Sequence, residues 1–267
     1  MMSERLAFPM YAVNEEETRA LWLAVRELLA ARGVALEEIR SYAIPEDLLA
    51  HWRNPELLLS QTCGYPLVTQ LPDAQTVGCF HYSAPGCEGR NYRSLLVARE
   101  DDLMLTFADF RGRRVACNAA DSQSGYNVLL KMVAPLSRDG RFFSAVVFSG
   151  SHRQSLRELQ LERADIAAID CVTWALLQRY QPEALAGLAV IARGPLAPGL
   201  PLITSANTSV STLGLLREAL QQLVSDERYR PLREALFICG YSDMRRADYQ
   251  PLLAWREEAA ARGVVRL

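Results

Sequence analysis

Short apolar runs alternate with apolar-periodic stretches along most of the chain, the pattern of strands separated by helices. Residues 6–13 have strand composition and are interrupted by Pro9. Asn14 then predicts the cap of a helix that runs through Trp22, Val25, Leu28 and Leu29 and stops at Gly33, with acids in its first turn. A second strand is expected over 39–44, a helix from Pro45 to about Arg53, and a short buried strand over 57–61. A turn over 62–66 then opens a helix ending near Leu71. Strand-like runs over 76–82 and 92–99 follow, around a loop carrying Pro85, Gly86, Cys87 and Gly89, with no helix between them.

After the charged patch at 99–102 the rhythm restarts. Strands are expected over 113–118, 143–149, 164–170 and 188–193, and helices over 124–135, 152–163 and 171–180. Residues 194–201 hold Pro195, Pro198, Pro201, Gly194 and Gly199, which reads as a stiff, extended crossing. A strand over 202–204 and helices over 209–224 and 249–263 complete the pattern. The expected architecture is α/β in two lobes: 1–99 with 199–267 as a discontinuous first lobe, and 100–198 as the second. Two crossings, near Arg99 and Pro198, predict a cleft between the lobes at the carboxyl ends of strands, where open α/β sheets take ligands.

Composition narrows this. Half of the 267 residues are hydrophobic, enough for a sizeable core. Twenty-nine basic against 31 acidic residues, with no basic block, argue against nucleic acid as a partner. Cys63, Cys79, Cys87, Cys117, Cys171 and Cys239 are scattered without a C-x-x-C pair, as expected of buried thiols in a reducing compartment. No apolar run reaches the length of a membrane span, and Met1 to Arg5 lack a basic n-region. A cytoplasmic protein without membrane insertion is therefore expected, or a periplasmic one if the start is trimmed or misplaced.

Four polar clusters fall at expected strand ends. In the turn Asp121-Ser122-Gln123-Ser124-Gly125-Tyr126, hydroxyls front a helix start. That is either a simple serine cap or an anion cradle, because helix N-termini present unpaired N–H groups. Ser149-Gly150-Ser151-His152 repeats the arrangement, so two helix starts could converge on one anion, with His152 as a donor or merely a capping side chain. Asp170 ends an apolar strand, where it caps the next helix, meets a ligand, or forms an acid/base pair with His152. Gln61 and Thr62 form the fourth cluster. Tyr11 and Tyr92 supply aromatic hydroxyls that could line the cleft. Cys79, His81 and Cys87 lack a fourth ligand and the usual spacing of a metal site, so no metal and no cofactor is expected.

Phe110-Arg111-Gly112-Arg113-Arg114-Val115-Ala116, the 121–126 turn, Ser149-Gly150-Ser151-His152-Arg153-Gln154-Ser155-Leu156 and Ala164-Asp165-Ile166-Ala167-Ala168-Ile169-Asp170 together resemble the phosphonate/phosphite/phosphate-binding family of ABC-transporter solute-binding proteins. That family reads D-L-x-G-K-x-V-A, S-T-S-G-Y, G-x-H-x-x-S-L and x-A-D-V-A-A-x-D in the same order and spacing. The resemblance implies a two-lobed periplasmic-binding-protein-like fold of the second structural type. It also implies an oxyanion held by Ser122, Gln123, Ser124 and His152 while the other lobe closes over it. Gln123 stands where the family has Thr, which exchanges a compact hydroxyl for a longer amide. The stretch 59–65 also departs from the family's D-x-A-x-x-G-P.

The expected function is binding of a small anionic metabolite by hinge closure, with an ABC permease or a sensor as partner and Gly125 and Tyr126 completing the ligand-binding turn. The alternative is a cytoplasmic enzyme on the same fold, of lyase or dehydratase type, that uses His152 and Asp170 as acid and base.

Overall fold

A computed structural model of the chain describes residues 5–36, 39 and 41–267. In chain order its elements are β1 (Leu6–Ala7), α1 (Glu15–Ala30), α2 (Leu48–Trp52), β2 (Leu59–Gln61), α3 (Gly64–Thr69) and β3 (Gln75–Tyr82). Then come β4 (Asn91–Arg99), β5 (Arg114–Cys117), α4 (Val128–Val133), β6 (Ala145–Phe148), α5 (His152–Gln160), β7 (Ile166–Asp170), α6 (Cys171–Tyr180) and β8 (Leu188–Pro198). The chain finishes with β9 (Pro201–Thr204), α7 (Val210–Ser225), α8 (Arg230–Ala235), β10 (Ile238–Ser242) and α9 (Pro251–Ala261). These elements separate into two compact units, Met1–Ser83 with Pro198–Tyr249 and Ala84–Ala197 with Gln250–Leu267, and each unit contains one five-stranded sheet.

The first unit's sheet has the order β1-β2-β9-β3-β10. β1 is parallel to β2, whereas β9 runs antiparallel to β2 and β3, and β10 antiparallel to β3. Asn14 caps α1 by accepting from the Glu17 amide at 3.1 Å, which satisfies one of the unpaired N–H groups of the first turn. α1 buries Leu21, Trp22, Val25, Leu28 and Leu29, and the Trp22 indole donates to the Leu6 carbonyl at 2.9 Å, fixing helix to strand. The strand expected over 6–13 is cut to Leu6–Ala7, because the chain turns immediately beyond Pro9. Of the strand expected over 39–44, Arg40 lies outside the described residues and the others are irregular; Met1 to Glu4, on which the reading of the start rests, also lie outside. β10 approaches β3 closely at Gly78: a Cβ there would meet the Tyr241 ring at 2.5 Å, and the Tyr241 hydroxyl donates to the Val77 carbonyl at 2.8 Å.

The second unit's sheet has the order β6-β5-β7-β4-β8, with β5 parallel to β6 and β7, and β4 antiparallel to β7. Its core gathers Leu96, Phe110, Val115, Leu129, Leu130, Val133 and Ile166, all buried. β4 pairs with β7 from Ser94 opposite Asp170 to Val97 opposite Ala167. The first unit boundary therefore falls after Ser83 rather than at 99. The proline-rich segment expected as a free crossing is strand up to Pro198. β8 lies at the sheet's edge, where a missing N–H removes no ladder bond. α9 belongs to this unit and not to the first. Leu252 accepts from the Asn127 side chain at 3.0 Å, Glu258 pairs with Lys131, and Ala259 and Val264 enter the core. The chain thus passes between units three times, after Ser83, Ala197 and Tyr249, where two crossings were expected.

Candidate functional site

Because β5, β6 and β7 are mutually parallel in the second unit, their carboxyl ends leave the sheet at one edge, and the start of antiparallel β4 joins them. That edge collects residues 118–127, 149–152, Asp170 and 92–94.

Ser122 has extended backbone, and its hydroxyl accepts from the Gly125 amide at 3.0 Å. The amides of Tyr126 and Asn127 both donate to the Ser122 carbonyl, at 3.2 and 2.9 Å. The second bond spans five residues, so Gln123–Asn127 is a π-helical turn leading into α4. Such insertions recur at functional sites because the extra residue redirects side chains at the start of a helix. Gly125 is required here: a Cβ would fall 1.8 Å from Asn118 Oδ1.

Ser124 and His152 meet across this edge, with Oγ and Nε2 2.8 Å apart. His152 is the first residue of α5, which Ser151 caps by accepting from the Gln154 amide at 3.1 Å. Although His152 keeps some exposed surface, its Nδ1 is buried, and the Ala168 backbone lies by the ring without forming a hydrogen bond of good geometry. Burial pushes its imidazole down to about 4, against a smaller opposing contribution from the Ala168 backbone. His152 is therefore neutral near pH 7. When Nε2 carries the proton, the ring donates to Ser124 and frees the Ser124 hydroxyl proton for a ligand.

From β4, the Ser94 hydroxyl donates to the Ser124 carbonyl at 2.8 Å and pins the turn to the sheet. Sequence reasoning passed over Ser94 in favour of Tyr92. The useful signal is the pairing of Ser94 with Asp170, and that follows only from strand register. Ser149 was likewise not singled out alone, yet its hydroxyl lies 2.7 Å from that of Ser155 and donates to the Ser151 carbonyl at 3.0 Å, bracing the loop before α5.

The remaining expected residues divide. Gln123 is only 1% exposed, and its carbonyl oxygen accepts from the Asn127 side chain at 2.7 Å, so that acceptor is engaged within the unit. The Tyr126 hydroxyl accepts from the Leu267 amide at 3.3 Å, and its ring stacks on Phe148 with centroids 6.0 Å apart. Asp170 caps α6, its Oδ1 accepting from the amides of Val172 at 2.7 Å and Thr173 at 3.2 Å. Tyr92 is buried in β4.

Thr62 and Tyr11 belong to the first unit. The Thr62 amide donates to the Pro201 carbonyl at 2.9 Å, and its hydroxyl is buried without a hydrogen-bond partner. The Tyr11 ring meets Tyr82 edge-on at 5.0 Å, and the Gln61 amide donates to the Tyr82 hydroxyl at 3.2 Å, forming a small aromatic pocket with Phe8. A larger cavity of about 450 Å³ in this unit is lined by Trp52, Arg53, Leu71, Asp73 and Asn207, and none of the expected site residues reaches it.

Cys79 donates to the Phe80 carbonyl, His81 bonds Ser242, and Cys87 contacts Cys171. Among the described residues no group of three His, Cys, Asp or Glu side chains could hold a metal, and no helix is long and apolar enough to cross a membrane.

Residues 44–249 match the family of the ABC-transporter phosphonate periplasmic substrate-binding protein. The chain belongs to that family. Among solved structures, the binding component of a Pseudomonas aeruginosa ABC phosphonate transporter superposes with a TM-score of 0.76 at 17% identity, covering 97% of this chain and 87% of that one. PhnD1 of Prochlorococcus marinus, solved with methylphosphonate, gives 0.75 at 12% identity, covering 95% and 96%. A Xanthomonas citri protein solved with ATP gives 0.69 at 14% identity, covering 96% and 97%. At these identities the likeness is one of fold: the α/β architecture is that of periplasmic binding proteins of the second structural type. No curated protein matches the chain.

Proposed function

We propose that this member of the phosphonate-binding family is the receptor for a small tetrahedral oxyanion, phosphate- or phosphonate-like, which it delivers to an ABC permease. One observation carries the reading: the Ser124–His152 hydrogen bond of 2.8 Å, which joins the π-turn to the first residue of α5. It brings two hydroxyl-fronted helix starts to one sheet edge, and such edges bind anions through hydroxyls and backbone N–H groups. Ser122 and Ser124 are the donors in this reading, and His152 sets the direction of the Ser124 proton. Because burial keeps His152 uncharged, recognition rests on neutral dipoles rather than an ion pair. The Gln123 carbonyl serves Asn127, so the amide that replaces the family's Thr holds the turn in shape. Hinge closure about the chain crossings is the step that retains the ligand in this reading.

Calorimetric titration with phosphate, phosphite, methylphosphonate, sulfate and acetate tests this. A tetrahedral phosphorus oxyanion should bind and raise the melting temperature, and Ser124→Ala should weaken it by about tenfold, the loss of one hydrogen bond of roughly 1.4 kcal/mol. Binding of none of these anions would sink the reading. Closure is read separately, as a fall in the radius of gyration by small-angle scattering when the ligand is added.

A further inference from the structure

The loop that opens the second unit rests on the start of α6. In it Cys87 Sγ lies 3.5 Å from Cys171 Sγ, although the two residues are 84 positions apart. Four contacts hold the loop there. Gly86, with φ of +107°, lies so close that a Cβ on it would meet Cys171 Cβ at 3.0 Å. Arg93 donates from Nε to the Gly86 carbonyl at 3.1 Å, and it forms an ion pair with Glu88. The Cys87 amide donates to the Ala84 carbonyl at 3.0 Å. Cys171 is fully buried and Cys87 half-buried, so one thiol is reachable by a small reagent and the other stands directly behind it.

We propose that Cys87 and Cys171 are an oxidisable pair that closes to a reversible disulfide when the protein meets a disulfide-class oxidant such as oxidised glutathione. The Cys87 thiolate attacks one sulfur of the small disulfide, forming a mixed disulfide and expelling one thiolate. Cys171 then loses its proton and attacks Cys87 Sγ, expelling the second thiolate. Two cysteine thiols are oxidised, one small disulfide is reduced to two thiols, and the protein loses two hydrogens. The second step is fast because its partners already stand at near-attack distance, whereas a lone cysteine would remain as the adduct. The closed bond fastens the entry loop to the residue following the Asp170 cap, in the same sheet edge as Ser94 and the π-turn.

The experiment incubates the reduced, full-length protein with oxidised glutathione, blocks remaining thiols, and reads intact mass, peptide map and melting temperature. The expected product has lost two hydrogens, carries no glutathione, and yields a peptide joining Cys87 to Cys171. Its melting temperature rises by roughly 5 °C, because a long loop is closed in the unfolded chain, and dithiothreitol reverses the change. Cys87→Ser should abolish the product, while Cys239→Ser, at an exposed position, should leave it intact. A persistent glutathione adduct on Cys87, a cross-link through any other cysteine, or an unchanged mass overturns the proposal. Should Cys171→Ser fail to fold, the wild-type peptide map decides alone. All these readouts are made without oxyanion, so they stand apart from ligand binding.

Discussion

The two edges of the second unit's sheet are built from opposite chemistry. At the amino ends of β5 and β7, Asp165 accepts from Arg114 Nη2 at 2.9 Å, from the Arg114 amide at 2.9 Å and from Arg99 at 3.1 Å, while Asp102 pairs with Arg113 at 3.1 Å. Burial works against the charge of Asp165, but the hydrogen bonds from Arg114 and Arg99 outweigh it and hold the carboxyl down at about 2. At the carboxyl ends, Ser94, Ser122, Ser124 and His152 bond through hydroxyls, amides and an uncharged ring, and Asp170 accepts from helix amides. The difference teaches where a ligand can enter. Charges that already neutralise each other form a clasp, and an anion would have to break it. Rotatable hydroxyls can turn toward an anion without giving up an ion pair.

The largest effect expected from breaking this contrast is at Gly125. Gly125→Ala drives a methyl into Asn118 and should cost about 3 kcal/mol in urea unfolding, at the upper end for overpacking, with loss of oxyanion binding. Adding Asn118→Ala should restore much of it, and an unchanged loss in the double variant would show that the clash is not the cause. Next, Asp165→Asn should cost about 2 kcal/mol, since its charged partners are only part-buried and screened, while leaving oxyanion affinity as it was. A change in affinity there would erase the distinction between the edges. Ser94→Ala should cost about 1 kcal/mol by releasing the Ser124 carbonyl, and here affinity should fall with stability.

The smallest effect at pH 7 is at His152, where pH makes it visible. Its folded pKa, about 4, lies below the unfolded value of about 6.5. The unfolded chain therefore takes up the proton first: this contribution to stability is complete above pH 6.5 and is lost as pH falls toward 4. Asp165, also depressed, loses its contribution lower, from about pH 4 toward 2. His152→Gln should flatten the fall in urea midpoint between pH 6.5 and 4, and Asp165→Asn should leave that window unchanged. A wild-type midpoint independent of pH across the window would contradict the neutral, buried ring.

Much of this was legible in the residues. Asn14, Ser151 and Asp170 announced their helices by capping chemistry, and the two Gly-Ser turns marked the edge where the strands end. What escaped depended on pairing. Residues 92–99 look the same whether they close one sheet or open another, and only the register against β7 decides it. β10 was hidden in a charged region because its Cys-Gly-Tyr core is short and needs Gly78 of another strand to admit Tyr241. The inward placement of Gln123 and Tyr126 follows from the one-residue insertion of the π-turn, which rotates the helix start away from the phase that α-helical spacing predicts.

The third crossing has a consequence for how the protein is made. The second unit begins at Ala84, yet part of its core and the amide that meets Tyr126 arrive only with Gln250–Leu267. The first unit is complete once synthesis reaches Tyr249. Chains folding during translation therefore finish the second unit last, although its main segment, Ala84–Ala197, is made before the first unit's closing one. Until that last segment arrives, the complete sheet bearing the π-turn lacks the cover of α9 and is the part most exposed to chaperones and proteases.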